Sequence, residues 1–210
     1  MSGDSLEETV GHDEVRAIAA ERLVFFADAV IAIAITLLAL ELPAPKGSTN
    51  AEFLHSVNEN RNEYIAFLIS FAVIGSHWRA HHRMFRYVTK LGGWLVRLSL
   101  GWLLMQILTP FATKVIAEND AFESRFIFYA SVQVISLILF MLMVVEIRRH
   151  KLYREDTPPE RFGNAISGAG RMAAGFAVSI PVAFFTQWAY ACWLVVPWAT
   201  VLVLRLKRRH

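Results

Sequence analysis

Apolar residues along this chain come in blocks of about 20, the length an α-helix needs to cross a bilayer core, and charged residues gather between the blocks. A surface helix of a soluble bundle shows a polar stripe every third or fourth residue. Over most of these blocks that stripe is missing. The pattern predicts six spans, over 23–42, 63–82, 93–113, 126–147, 167–187 and 190–206. The second turns polar early, in "SHWRAHHRMFR", and is expected to continue as helix beyond the bilayer. Pro181 and Pro197 lie inside the last two spans and are expected to kink them. Those two spans are joined tightly around "TQWAY". The polar loop "APKGSTNAEFLHSVNENRNEY" can form a short helix. The expected architecture is therefore an all-α membrane protein: a lead-in over 1–21, a six-span domain over 22–206 and a basic tail over 207–210.

Composition agrees and narrows the chemistry. The chain has 210 residues, 55% of them hydrophobic, with one cysteine. A single cysteine excludes an internal disulfide framework and any Cys-rich metal site. The first 20 residues are polar and acidic, unlike a signal peptide with its basic start. Lysine and arginine placement predicts orientation. With the N-terminus in the cytosol, 17 of the 21 fall on the cytosolic side, and only Lys46, Arg61, Lys114 and Arg125 face outward. Both termini are thus expected to be cytosolic, in a multi-pass protein of the cell membrane. The net charge of +3 reads as an orientation signal rather than a nucleic-acid site. No Gly-rich phosphate loop, nucleophile elbow or carboxylate-rich cluster appears in the loops, so an enzyme is not expected.

The first span carries the most specific pattern. At about 100° per residue, Ile33, Thr36, Leu37 and Leu40 fall on one helix face. Asp28 lies about 140° from Ile33, and Arg22 only about 20° from it. Alanines (Ala27, Ala29, Ala32, Ala34 and Ala39) fill much of the remaining surface. Small residues let membrane helices approach closely, so this helix is expected at the centre of its bundle. An aspartate in a span needs a partner. Arg22, six residues away on the same helix, is poorly placed. The second span offers His77, Trp78, Arg79, His81 and His82 at the same depth, and an indole or imidazole N–H would satisfy the carboxylate.

"RLVFFAD" fits the pattern R-x-x-x-F-S-D, and the helix continues "AVIAIAITLLALEL". This resembles the signature of the endosomal and lysosomal potassium channel called transmembrane protein 175, in its shorter prokaryotic form. "SHWRAHHRMF" also resembles that family's second span, with its Trp and paired His. The resemblance implies a homotetramer whose first helices line a central cation pathway. It implies a hydrophobic constriction at Ile33, with Leu37 and Leu40 as further layers and Thr36 offering a ring of hydroxyls. Arg22, Phe26 and Asp28, with His77, Trp78 and His81, would form the network that holds the first helix. Ala27 stands where the motif has serine, which removes one hydroxyl. No cofactor is implied beyond permeant potassium ions, and no T-V-G-Y-G filter is present.

Two other readings share these residues. A proton-coupled secondary transporter would use Asp28 and the membrane-end histidines as a relay. It should show paired repeats, and none is visible. A metal site is suggested by His77 and His81 at i,i+4, but no H-E-x-x-H glutamate or nearby third carboxylate accompanies them. Trp94, Trp188 and Trp193 read as interfacial aromatics, and Trp102 and Trp198 as packing within spans.

Overall fold

The computed structural model describes residues 3–118 and 121–207. Among these residues seven α-helices follow in order: α1 Gly3–Leu40, α2 Asn50–Glu59, α3 Arg61–Phe85, α4 Gly93–Ala117, α5 Phe122–Arg149, α6 Glu160–Ala183 and α7 Cys192–Lys207. The expected short loop helix is α2. Its start is held by a capping box: Glu52 N donates to Thr49 Oγ1, while the Glu52 carboxylate accepts from Ser48 N at 2.7 Å. Gly47 turns the chain into this cap at φ +146°, where a side chain would strike the backbone of Phe53. A 3-10 turn, Gln187–Ala191, makes the tight joint between α6 and α7. Of the basic tail, residues 208–210 lie outside the described residues.

Among the described residues, four helices are long and apolar enough to cross a membrane: Ala17–Leu40 within α1, α4, α5 and α6. This is fewer than the six spans the hydrophobic blocks predict. α3 has the length, at 25 residues, but its second half carries Arg79, Arg83 and three histidines. α7 has the composition but only 16 residues, about 24 Å of helix against a core of about 30 Å. α6 also begins earlier than expected, at Glu160, and ends at Ala183. Proline is accommodated within α4 (Pro110) as well as within α6 and α7.

The centre of the chain is α4 and α5, which pack on one another; α6 lies on α5, α7 on α6, and α1 on α3 and α4. Half of the most apolar stretch of α4 and of α5 is buried, against 22% for α1. The alanines of α1 predict a central helix, yet within one chain it is an edge. Trp102 is buried as expected, but Trp198 is 79% exposed and does not pack inside a span.

The connections α3–α4 and α5–α6 meet at one end of the bundle. Val88 pairs with Tyr153 in an isolated bridge, Thr89 N donates to Leu152 O at 3.0 Å, and Arg154 N donates to Tyr87 O at 2.9 Å. The two most basic segments of the chain therefore share an end.

Candidate functional site

α1 is two-faced. Ala20, Ala27, Ile31, Ala34 and Leu38 are buried, spaced at sevens, threes and fours, the stripe a helix lays against neighbours. Three of the five are alanines, which lets α1 sit close to α3 and α4. Roughly 140° around the helix, Ile33, Thr36, Leu37 and Leu40 are all exposed, Ile33 by 60% and Leu40 by 78%. Thr36 donates its hydroxyl proton to the Ile33 carbonyl at 2.8 Å. Its oxygen lone pairs are left facing outward, where they can accept from a donor or meet a cation.

Asp28 lies on the border between these faces. Trp78 Nε1 of α3 donates to Asp28 Oδ1 at 2.9 Å, and the indole in turn lies 5.4 Å from the His82 ring. At the other end of the bundle, Lys114 of α4 pairs with Glu41 at 2.6 Å, and Tyr64 OH donates to Pro43 O at 2.8 Å. These ties fix how far α1 can turn about its own axis, and so where the exposed row points.

The six residues assigned to the α1 network do not all meet. Arg22 and Phe26 are exposed and fall on the same side of α1 as Ile33 and Leu40; Arg22 forms no ion pair among the described residues. His77 and His81 face away from Asp28, into the subunit. His77 Nδ1 lies 3.3 Å from Gln106 Nε2 and 3.4 Å from Ser136 Oγ. His81 is stacked between Phe85 and Trp102, with ring centroids 3.9 and 4.6 Å away. Neither of its ring nitrogens has a hydrogen-bond partner among the described residues. The physical reason is helical spacing. His77 and His81, at i,i+4, share the face turned to α4, while Trp78 and His82 share the next face, turned to α1. Asp28 thus has an indole partner and no histidine partner among the described residues.

A second polar system was not singled out by motif. Gln106 Nε2 donates to Ser136 Oγ at 2.7 Å, Gln133 Nε2 to Thr109 Oγ1 at 3.4 Å, and Thr113 Oγ1 to Ser70 Oγ at 2.7 Å, which reaches the Tyr129 hydroxyl at 3.0 Å. All are buried. Their spacing (106, 109 and 113 on α4; 133 and 136 on α5) was the available signal, since polar residues at threes and fours inside apolar helices mark the packed side. No group of three or more His, Cys, Asp or Glu among the described residues is placed to hold a metal ion.

Comparison with known proteins follows this geometry. The family model described as "Endosomal/lysosomal potassium channel TMEM175" matches residues 22–110, the stretch from α1 into α4. A potassium channel of Streptomyces collinus is 37% identical over 97 residues, covering 46% of this chain and 47% of the relative. The endosomal/lysosomal proton channel TMEM175 of Gallus gallus is 35% identical over 130 residues, covering 53% of this chain and 26% of the relative. The matched stretch thus spans half or less of the length of either relative. The crystal structure of a lysosomal potassium-selective channel TMEM175 homolog from Chamaesiphon minutus shares the fold at a TM-score of 0.71 and 23% identity, covering 87% of this chain and 97% of that one. By sequence over residues 22–110 and by fold over most of its length, this chain is similar to proteins of the TMEM175 family.

Proposed function

We propose that the chain is one subunit of a homotetrameric, potassium-preferring cation channel in the cell membrane, with both termini cytosolic. The observation that carries this reading is the exposed row Ile33, Thr36, Leu37 and Leu40, on a helix tied to its own subunit through the opposite face. Four such rows around an axis make a pore wall. Branched side chains at Ile33 pinch the pore until water leaves it, which closes it without a charged barrier. Thr36 supplies an oxygen at the same level, its proton already committed to Ile33 O, so that four oxygens can replace part of the hydration shell of a cation. Potassium gives up its shell more readily than sodium, which sets the preference without stacked carbonyls.

In this reading α3 and α7 also cross the membrane, giving six spans. α3 keeps its basic end in the headgroup region, and α7 is lengthened by the 3-10 turn before it. The shared end of the α3–α4 and α5–α6 connections supports the orientation, since positive charge gathers on the cytosolic side. Arg22, exposed on the same side of α1, would stand at the cytosolic mouth of the pore.

The test is a planar-bilayer recording of the purified protein, with reversal potentials in potassium, sodium and proton gradients and the subunit count read by native mass spectrometry. Single-channel steps, a reversal potential that follows potassium and a mass of four subunits are expected. Transport without steps, or a reversal potential that follows protons alone, would contradict the proposal.

A further inference from the structure

A cavity of about 650 Å³ opens at the basic end of the bundle, between α3, α6 and α7 and away from the exposed face of α1. Arg79 and Arg83 of α3 and Arg161 and Arg171 of α6 line it, with Asn164 and no aspartate or glutamate. None of the four guanidinium groups has an ion-pair partner among the described residues. Four like charges turned toward one cavity repel one another unless an anion sits among them. A guanidinium fork is suited to phosphate oxygens. His77, buried at 3% exposure, also lines the cavity, and its Nε2 has no partner there.

Apart from Ser76 the rest of the wall is apolar, with Trp102, Leu137, Phe140, Pro197, Trp198 and Val201 among its residues. A free phosphate has no use for such a wall, while an acyl chain does. The exposure of Trp198, left unexplained by packing, fits a side chain that meets lipid at the cavity mouth. We infer that this cavity is a binding site for an anionic phospholipid, its phosphate among Arg79, Arg83, Arg161 and Arg171 and its chain along Trp102, Leu137 and Trp198. The inference needs a membrane protein but no ion conduction. It is read on binding alone and stands or falls apart from the channel proposal.

The experiment titrates the full chain, in neutral detergent, with dioctanoyl-phosphatidylglycerol, dioctanoyl-phosphatidylcholine and inorganic phosphate, and reads bound ligand by native mass spectrometry. Wild type should bind the anionic lipid about 10-fold more tightly than the zwitterionic one, as two or more nearby arginines allow. Arg79→Gln/Arg171→Gln should lose about that factor. Arg148→Gln/Arg149→Gln, at the same end but outside the cavity, should retain it. Trp198→Ala should weaken lipid binding, and it carries the test if the arginine pair does not fold. Equal binding of the two lipids by wild type, or an equal loss in the Arg148/Arg149 control, would overturn the site. Inorganic phosphate bound as tightly as the lipid would assign the cavity to a free anion and overturn the lipid.

Discussion

α1 and the α4–α5 pair are built by opposite rules. α4 and α5 turn polar groups inward: Gln106, Thr109, Thr113, Gln133 and Ser136 are buried, while Leu100, Leu104, Ile107, Ile135, Ile138 and Leu142 are exposed. α1 buries a narrow stripe of Ala20, Ala27, Ile31, Ala34 and Leu38, and leaves the branched row Ile33, Leu37 and Leu40 outside with Thr36 among them. In lipid, hydrophobicity does not separate the inside of a bundle from the outside, because the tails are as apolar as leucine. Hydrogen bonds and close backbone approach do. α4 and α5 are therefore fixed by their bonds, and α1 is fixed by Asp28–Trp78 and Lys114–Glu41. The exposed face of α1 is unlike that of α4 because it pairs its apolar row with an outward hydroxyl oxygen.

The difference can be attacked from the core outward. Trp102 is 1% exposed and forms one side of the His81 sandwich, so Trp102→Ala removes a large side chain where little can collapse. It should cost about 3–5 kcal/mol and lower the thermal midpoint in detergent most of all; an unchanged midpoint would mean α4 is not the centre. Asp28→Ala should cost less, about 1.5–3 kcal/mol for one charge-assisted bond, and should weaken assembly more than permeation. Trp78→Phe should act in the same direction, and the double variant should be little worse than either alone, because the pair shares one bond. Full additivity in thermal scans would show that the two side chains act separately.

The smallest effect belongs to the loop. Hydrogen bonds from the Ser48 backbone N–H and hydroxyl, and from the Thr49 backbone N–H, hold the Glu52 carboxyl below its ordinary range. A carboxyl with a lowered folded pKa favours folding when ionised. Its contribution is complete above the unfolded value, about 4.3, and is lost as pH falls through the lower folded value. Protection factors of the α2 amides, which are rates corrected for intrinsic exchange, should therefore fall on acidification through that window, and Glu52→Gln should flatten the dependence. α4 and α5 amides should not follow it.

Much of this was legible in the sequence, and the rest was hidden for identifiable reasons. The row Ile33, Thr36, Leu37 and Leu40 follows from 100° per residue, and the structure leaves all four exposed. The need of Asp28 for an N–H donor was legible too. Which donor was not: His77, Trp78 and His81 are all on α3 at the right depth, and only the rotation of α3 brings the indole forward and turns the imidazoles inward. Arg22 and Phe26 belong to the stretch that resembles R-x-x-x-F-S-D, but six and two residues from Asp28 they leave the packed side of α1. Six hydrophobic blocks are legible, but the polar end of α3 and the 3-10 turn before α7 are not, and they leave these two helices outside the four that are long and apolar enough by themselves. The buried glutamines were visible as polar residues in apolar helices, but their partners depend on the register of α4 against α5.

The central claim is that the exposed row of α1 is the pore wall. It is tested most directly by Ile33→Asn in the purified protein, recorded beside wild type under a potassium–sodium gradient. A polar side chain at the constriction should hold water there. Conductance should rise severalfold and the reversal potential should move toward zero as selectivity falls. Currents and reversal potential identical to wild type would place the pore elsewhere.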